Sequence, residues 1–298
     1  MIIVPVFARA DEADLVVALQ NTYSACVGID ENLADLKKKA GINTAVTAVG
    51  TAAGVGATAI GIVKAQKDEL REKLDKQLRD LRNMSNQEFL QFLADVSKYK
   101  QYQEMLNKEE QANKKSKQLG KWRTGLMVGN TATNVAGAII AGNNKVNDDL
   151  QTQINNCKSA VKNLQNAIMQ AKIDGDDITE ANQIVSVCKE YDYVDISPIN
   201  KRAKGAMVSS IIGATTGITG TITSAVANSK DVRKEEESKQ GKKTDADWSK
   251  EKNLNTTANV LAGTSTVASA TATIFNATQI SAIKKLATVA EKCTEVLK

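Results

Sequence analysis

The chain reads as an all-α protein: an elongated antiparallel helical bundle made from two tandem, pseudo-repeated long helical hairpins rich in alanine, glycine and threonine. Three observations predict this. Only 4% of the 298 residues are aromatic and two are proline, a balance that suits long helices meeting through small side chains. Four stretches, residues 40–63, 124–144, 205–229 and 253–283, carry no charge, while the sequence between them is densely charged. Within these stretches the apolar residues recur at helical spacing. With 42% hydrophobic residues, the chain has material for a sizeable core.

The opening segment MIIVPVFARA has an apolar run from Met1 to Ala8 and an Ala8-Arg9-Ala10 cleavage pattern before Asp11. It reads as the remnant of a secretion signal over residues 1–10, although the basic n-region is missing; a short buried strand is the other reading. Export places the chain in an oxidising space such as a periplasm, cell envelope or exterior, which its four cysteines, an even number, fit. Residues 11–172 then make the first hairpin repeat, 173–200 a turn, short helix and linker, and 201–298 the second repeat.

Threonine, valine and isoleucine favour strands, and TGITGTITSAV passes locally for one. Periodicity decides for helix. Ile42, Val46, Val49, Ala53, Gly56, Ile60 and Val63 alternate spacings of four and three and so share one helical face. A longer stripe runs Val128, Ala132, Val135, Ile139, Gly142, Val146, Leu150, Ile154, Cys157, Val161, Leu164, Ile168, which predicts one unbroken helix of about twelve turns. Ser85 with Glu88 makes a capping box at the start of FLQFLADV, and Asp177 with Glu180 a second one after the IDGDD turn. The connector over residues 64–123 needs a helix and a bend of its own. Pro198 in YDYVDISPIN separates the repeats, and KQGKKTDAD turns the second hairpin.

Two gapless offsets carry the duplication. One lays Leu36, Lys38, Lys39, Ala40, Gly50, Gly54 and Val55 over Ile199, Lys201, Arg202, Ala203, Gly213, Gly217 and Ile218. The other lays Trp122, Thr131, Ala132, Val135, Ala136 and Gly137 over Trp248, Thr257, Ala258, Leu261, Ala262 and Gly263. Each copy repeats one order: cysteine, basic cluster, uncharged segment, charged segment, tryptophan, uncharged segment, cysteine. Folding each hairpin back brings Cys26 to Cys157 and Cys188 to Cys293. Bridges there would contribute roughly 4 kcal/mol each in the chain-entropy model. Pairing Cys157 with Cys188 and Cys26 with Cys293 also gathers all four sulfurs at one end, so the sequence leaves the connectivity open; without export, all four would be buried free thiols.

Histidine is absent, which removes the commonest general base and the imidazole metal ligand together. No phosphate-binding glycine fingerprint is present. The carboxylates Asp174, Asp176, Asp177 and Glu180 lack the spacing of a calcium loop and are explained by a turn and a helix cap. Lysine is spread among acidic residues rather than set in an aromatic-lined groove, so nucleic-acid binding is not expected. No catalytic, cofactor or metal residues are expected.

Gly50 with Gly54, Gly125 with Gly129, and Gly213 with Gly217 are spaced four apart, a device for close helix–helix contact. Trp122 and Trp248, each just before the second uncharged helix of its copy, are expected to plug a hairpin end, although a tryptophan at a membrane interface would stand there too. The basic clusters Lys37-Lys38-Lys39 and Lys201-Arg202 read as solvated helix surface. The expected function is a non-enzymatic exported structural or interaction protein, a helical scaffold that associates with further copies of itself or another envelope protein. The rival is a membrane-active protein, a pore former or membrane-inserted envelope component, using the glycine-containing hairpins. Segment length suits a bilayer. The Thr-, Asn- and Ser-rich composition argues against insertion.

Overall fold

In a computed structural model, which describes residues 10–229 and 248–298, the chain is helical throughout apart from short turns, and no strand occurs among the described residues. The elements are α1 (Ala10–Cys26), α2 (Ile29–Arg82), α3 (Asn86–Ala94), α4 (Val96–Asn143), α5 (Asp148–Asp174), α6 (Thr179–Cys188), a 3₁₀ turn (Lys189–Tyr193), α7 (Ser197–Ala227) and α8 (Trp248–Leu297). The long helices pack against one another as a bundle. The signal-like residues 1–9 and the turn KQGKKTDAD lie outside the described residues.

The breaks follow local chemistry. Gly28 and Gly175 take positive φ, 89° and 82°, a conformation that only glycine adopts at little cost. Gly175 ends α5 in the left-handed region, its N–H donating to the Ala171 carbonyl. The Ser85–Glu88 capping box forms, opening α3 after α2 has run out. Two expectations need correction. The twelve-turn helix is broken at residues 144–147, where the Asn147 side chain caps Leu150 N–H and the Val146 N–H is taken by Asn200 Oδ1 at 2.8 Å. An asparagine at that position competes for backbone donors and restarts the helix in a new phase. No capping box forms at Asp177: α6 begins at Thr179, whose N–H is held by Asp177 Oδ1.

Two compact units emerge, and each draws segments from both sequence repeats. The first takes the chain up to Ala45 together with Ile139–Met207 and Ala272–Lys298. Its interior is a conventional apolar core of Leu33, Leu36, Ile154, Leu164, Ile199, Ile283 and Leu286 around the buried ring of Tyr191. Burial, reinforced by the Asp30 charge, pushes the Tyr191 phenol well above the ordinary tyrosine range. The structure joins Cys26 to Cys157 and Cys188 to Cys293, with Cα–Cα distances of 4.8 Å at both bridges. All four cysteines are fully buried in this core.

The second unit, Val46–Ala138 with Val208–Thr271, contains α3 and one segment each of α2, α4, α7 and α8. Its apolar cluster is small: Ala57, Met127 and Ala262, with Leu126 against them. What fills the rest of its interior is the functional question.

Candidate functional site

Each of the four long helices turns inward a seam spaced alternately four and three residues. On α2 it runs Asn43, Thr47, Gly50, Gly54, Ala57, Gly61, Lys64, and on α4 Arg123, Met127, Asn130, Asn134, Gly137, Ala141, with Asn144 continuing it just past the helix end. On α7 it runs Ala203, Ala206, Ser210, Gly213, Gly217, Gly220, Ser224, and on α8 Glu251, Asn255, Ala258, Ala262, Ser265, Ser269, Ala272, Asn276, Gln279. These are small and polar residues at the core positions of a heptad. The aliphatic stripe that the sequence singles out lies one residue around each helix, toward the outside: Ile42, Val49, Val63, Val128, Val135 and Ile139 are exposed, and Val46 and Ile60 are half-buried. It faces a partner only beyond the break, from Val146 to Ile168, inside the apolar core of the first unit.

Within the second unit the seam is held by hydrogen bonds among three helices. Asn130 Nδ2 donates to Ser265 Oγ at 2.9 Å, and Ser265 Oγ donates to the Gly213 carbonyl at 2.7 Å. Ser269 Oγ stands 3.0 and 2.9 Å from the amide oxygens of Asn130 and Asn134. Glycines let α2 join this clasp. A methyl at Gly50 would overlap Thr133, and one at Gly54 would overlap Thr266 and approach Asn130. Gly213 is closed by Asn134 and Gly217 by Thr131. Polar side chains without water access must be satisfied internally, and this network does so.

Buried charge closes the seam where the uncharged segments meet the connectors. Arg123 is wholly buried; its Nε donates to Ser224 and its two terminal nitrogens to Asn259 and Asn255. Lys64 reaches Asp68 and Glu251, and Arg71 reaches Asp68, Ser116 and Asn113. The Arg71 guanidinium also lies 5.3 Å from the ring centre of Trp248, whose Nε1 donates to Asp75. A cavity of about 270 Å³ opens beside this cluster, lined by Asp68, Glu69, Glu72, Glu251, Lys252 and Trp248 among others, its carboxylates paired with Lys64, Arg71, Lys73 and Lys76.

Of the residues the sequence nominates, Gly50, Gly54, Gly213 and Gly217 are buried in helix contacts. Gly125 and Gly129 need correction: they face outward, and a Cβ on either would meet nothing within 4 Å. The α4 seam passes instead through Met127, Asn130 and Asn134, one step around the helix. Trp248 is partly buried against Arg71, but Trp122 is 61% exposed and plugs nothing. The first of the two offsets preserves burial, with Ala40 and Ala203, Gly50 and Gly213, and Gly54 and Gly217 all inward. The second does not: Ala132 is exposed and Ala258 buried. No protein-family model, curated protein or solved structure matches the chain.

Sequence reasoning missed Asn130, Asn134, Ser265, Ser269 and the ion cluster. Their signal was the second stripe, with the same alternating spacing as the aliphatic one. A sharp consequence follows for the glycines. Gly54→Val and Gly217→Val should each cost about 1–3 kcal/mol, because the Thr266 and Thr131 side chains they would overlap are held by hydrogen bonds to Ala262 and Met127 of their own helices, and the helices must part. Gly125→Ala and Gly129→Ala should be neutral or stabilising by up to about 1 kcal/mol, from helix propensity alone. Thermal melts followed by circular dichroism separate the two sets.

Proposed function

We propose that the four uncharged segments span a bilayer, and that the chain is a membrane-embedded four-helix anchor and scaffold of an exported cell-envelope assembly. The observation that carries this reading is the inversion of the second unit, whose small and polar residues face in while its valines and isoleucines face out. In a water-soluble bundle the hydrophobic effect drives the opposite arrangement. In lipid, where the surroundings are as apolar as the side chains, helices associate through small residues and interhelical hydrogen bonds.

Two further observations support it. The most apolar windows of the helical stretches Asp14–Arg82 and Ser197–Ala227 are long enough to cross a membrane, yet only 28% and 33% of those windows is buried. A core helix of a soluble protein passes the same length test but is mostly buried. The threonine content that argued against insertion is also neutralised. Thr215, Thr219 and Thr264, all exposed, each donate their hydroxyl to the carbonyl four residues back, which satisfies the group without water.

The first unit has an ordinary apolar core, and its two disulfides are consistent with an oxidising, exported environment. The closed glycine contacts of the second unit favour an anchor over an open pore. Membranes bearing the full chain are expected to retain it through alkaline carbonate extraction, and the purified chain is expected to float with liposomes. A chain that is monodisperse in buffer without detergent and stays at the bottom of the gradient would overturn the reading in favour of a soluble scaffold.

A further inference from the structure

We infer that the bundle lies in the membrane in one orientation, with its cysteine-bearing segments on the oxidising face and the charged connector over residues 64–123 against the anionic headgroups of the opposite leaflet. This rests on the four-span reading and adds a direction to it.

The first argument is parity. Four crossings return the chain to its starting face after every second crossing. Cys26 precedes the first uncharged segment, Cys157 and Cys188 lie between the second and third, and Cys293 follows the fourth. All four cysteines therefore share a face. Each bridge, Cys26–Cys157 and Cys188–Cys293, joins segments separated by two crossings, an even number, as such a topology requires of any pairing between different segments. Disulfides persist on the oxidising side of a membrane.

The second argument is independent of the cysteines. The connector over residues 64–123, with the one between the third and fourth segments, holds the larger share of the 39 lysines and arginines. In both connectors basic residues outnumber acidic ones, whereas in the cysteine-bearing segments taken together the two are nearly balanced. Lysine and arginine collect on the cytoplasmic face of membrane proteins, and polybasic stretches beside a span bind anionic lipid. At the connector end of α4, Lys114, Lys115, Lys117 and Lys121 are exposed next to the exposed indole of Trp122. Cationic side chains with an amphipathic aromatic are the usual composition of a headgroup rim.

The test uses the full chain, whose four native cysteines are all bridged, so that an introduced cysteine is the reactive thiol. Gln151→Cys and Ser97→Cys are both at exposed positions, one on each face. In sealed cells a membrane-impermeant maleimide should label Gln151→Cys at least tenfold more than Ser97→Cys, and lysis should equalise them. Replacing Lys114, Lys115, Lys117 and Lys121 by glutamate should then give a mixed population. The reverse pattern overturns the orientation while leaving the four spans intact. Equal labelling in sealed cells overturns it too; carbonate extraction of the same sample shows whether the spans fail with it. Should either variant not accumulate, trypsin protection of the unmodified connector reads the same face.

Discussion

Aspartate at both Ile218 and Val267 is expected to abolish stable membrane insertion. Each residue stands in the middle of an uncharged segment, and each is exposed, at 49% and 67%. On a water-soluble surface the exchange of an exposed aliphatic for a carboxylate changes stability by about 0.5 kcal/mol or less. At the centre of a membrane helix an aspartate costs about 2.5–3.5 kcal/mol, and the lost aliphatic adds a few tenths. The two positions lie on different helices, so their costs add, to roughly 6–8 kcal/mol. The carbonate-resistant fraction of the double variant should fall at least tenfold below that of the unmodified chain. Leu90→Asp is the control: Leu90 is 66% exposed on α3, within the connector, and its replacement should leave extraction unchanged. A double variant that is fully helical and as membrane-bound as the parent would mean that these residues do not face lipid.

The helices and their spacing were legible in the sequence; the side on which each helix buries itself was not. On α2 the stripe Ile42, Val46, Val49, Ala53 and the stripe Asn43, Thr47, Gly50, Gly54 have the same period and stand one residue apart. Periodicity identifies both and chooses neither. On the membrane reading proposed above, the choice depends on the surroundings, because water rewards burial of the aliphatic stripe and lipid is indifferent to it, leaving close glycine contact and the Asn130–Ser265 hydrogen bond to decide. An assumed aqueous surface therefore sends Val128, Val135 and Ile139 to the interior, where the structure places Asn130, Asn134 and Gly137. Gly125 and Gly129 show the limit of a motif read without its phase: the spacing is right and the face is wrong. The four-residue break at 144–147 was hidden for the same reason, since the aliphatic stripe continues across it while switching from the outer to the inner surface.

The cysteines were more legible than the helix faces because covalent geometry tolerates less ambiguity than packing does. Their order along the chain left two connectivities, and the structure takes the one that closes each hairpin. The sequence separations are 131 and 105, so each bridge removes a long loop's freedom from the unfolded chain, worth roughly 4–5 kcal/mol in the entropy model. Removing either bridge cleanly, as Cys26→Ala with Cys157→Ala or Cys188→Ala with Cys293→Ala, should lower the stability of the first unit by about that amount, seen as a marked drop in its melting temperature under non-reducing conditions. The single variant Cys157→Ala should behave differently. The sulfurs of Cys26, Cys157 and Cys293 all lie within 4.8 Å of one another, so the thiol left at Cys26 stands beside the other bridge and can attack it at Cys293. Peptide mapping of that variant without reductant should find a Cys26–Cys293 bridge and a released Cys188 thiol. Finding only the Cys188–Cys293 bridge, with Cys26 free after prolonged incubation at alkaline pH, would show that the two bridges are insulated from each other despite their proximity.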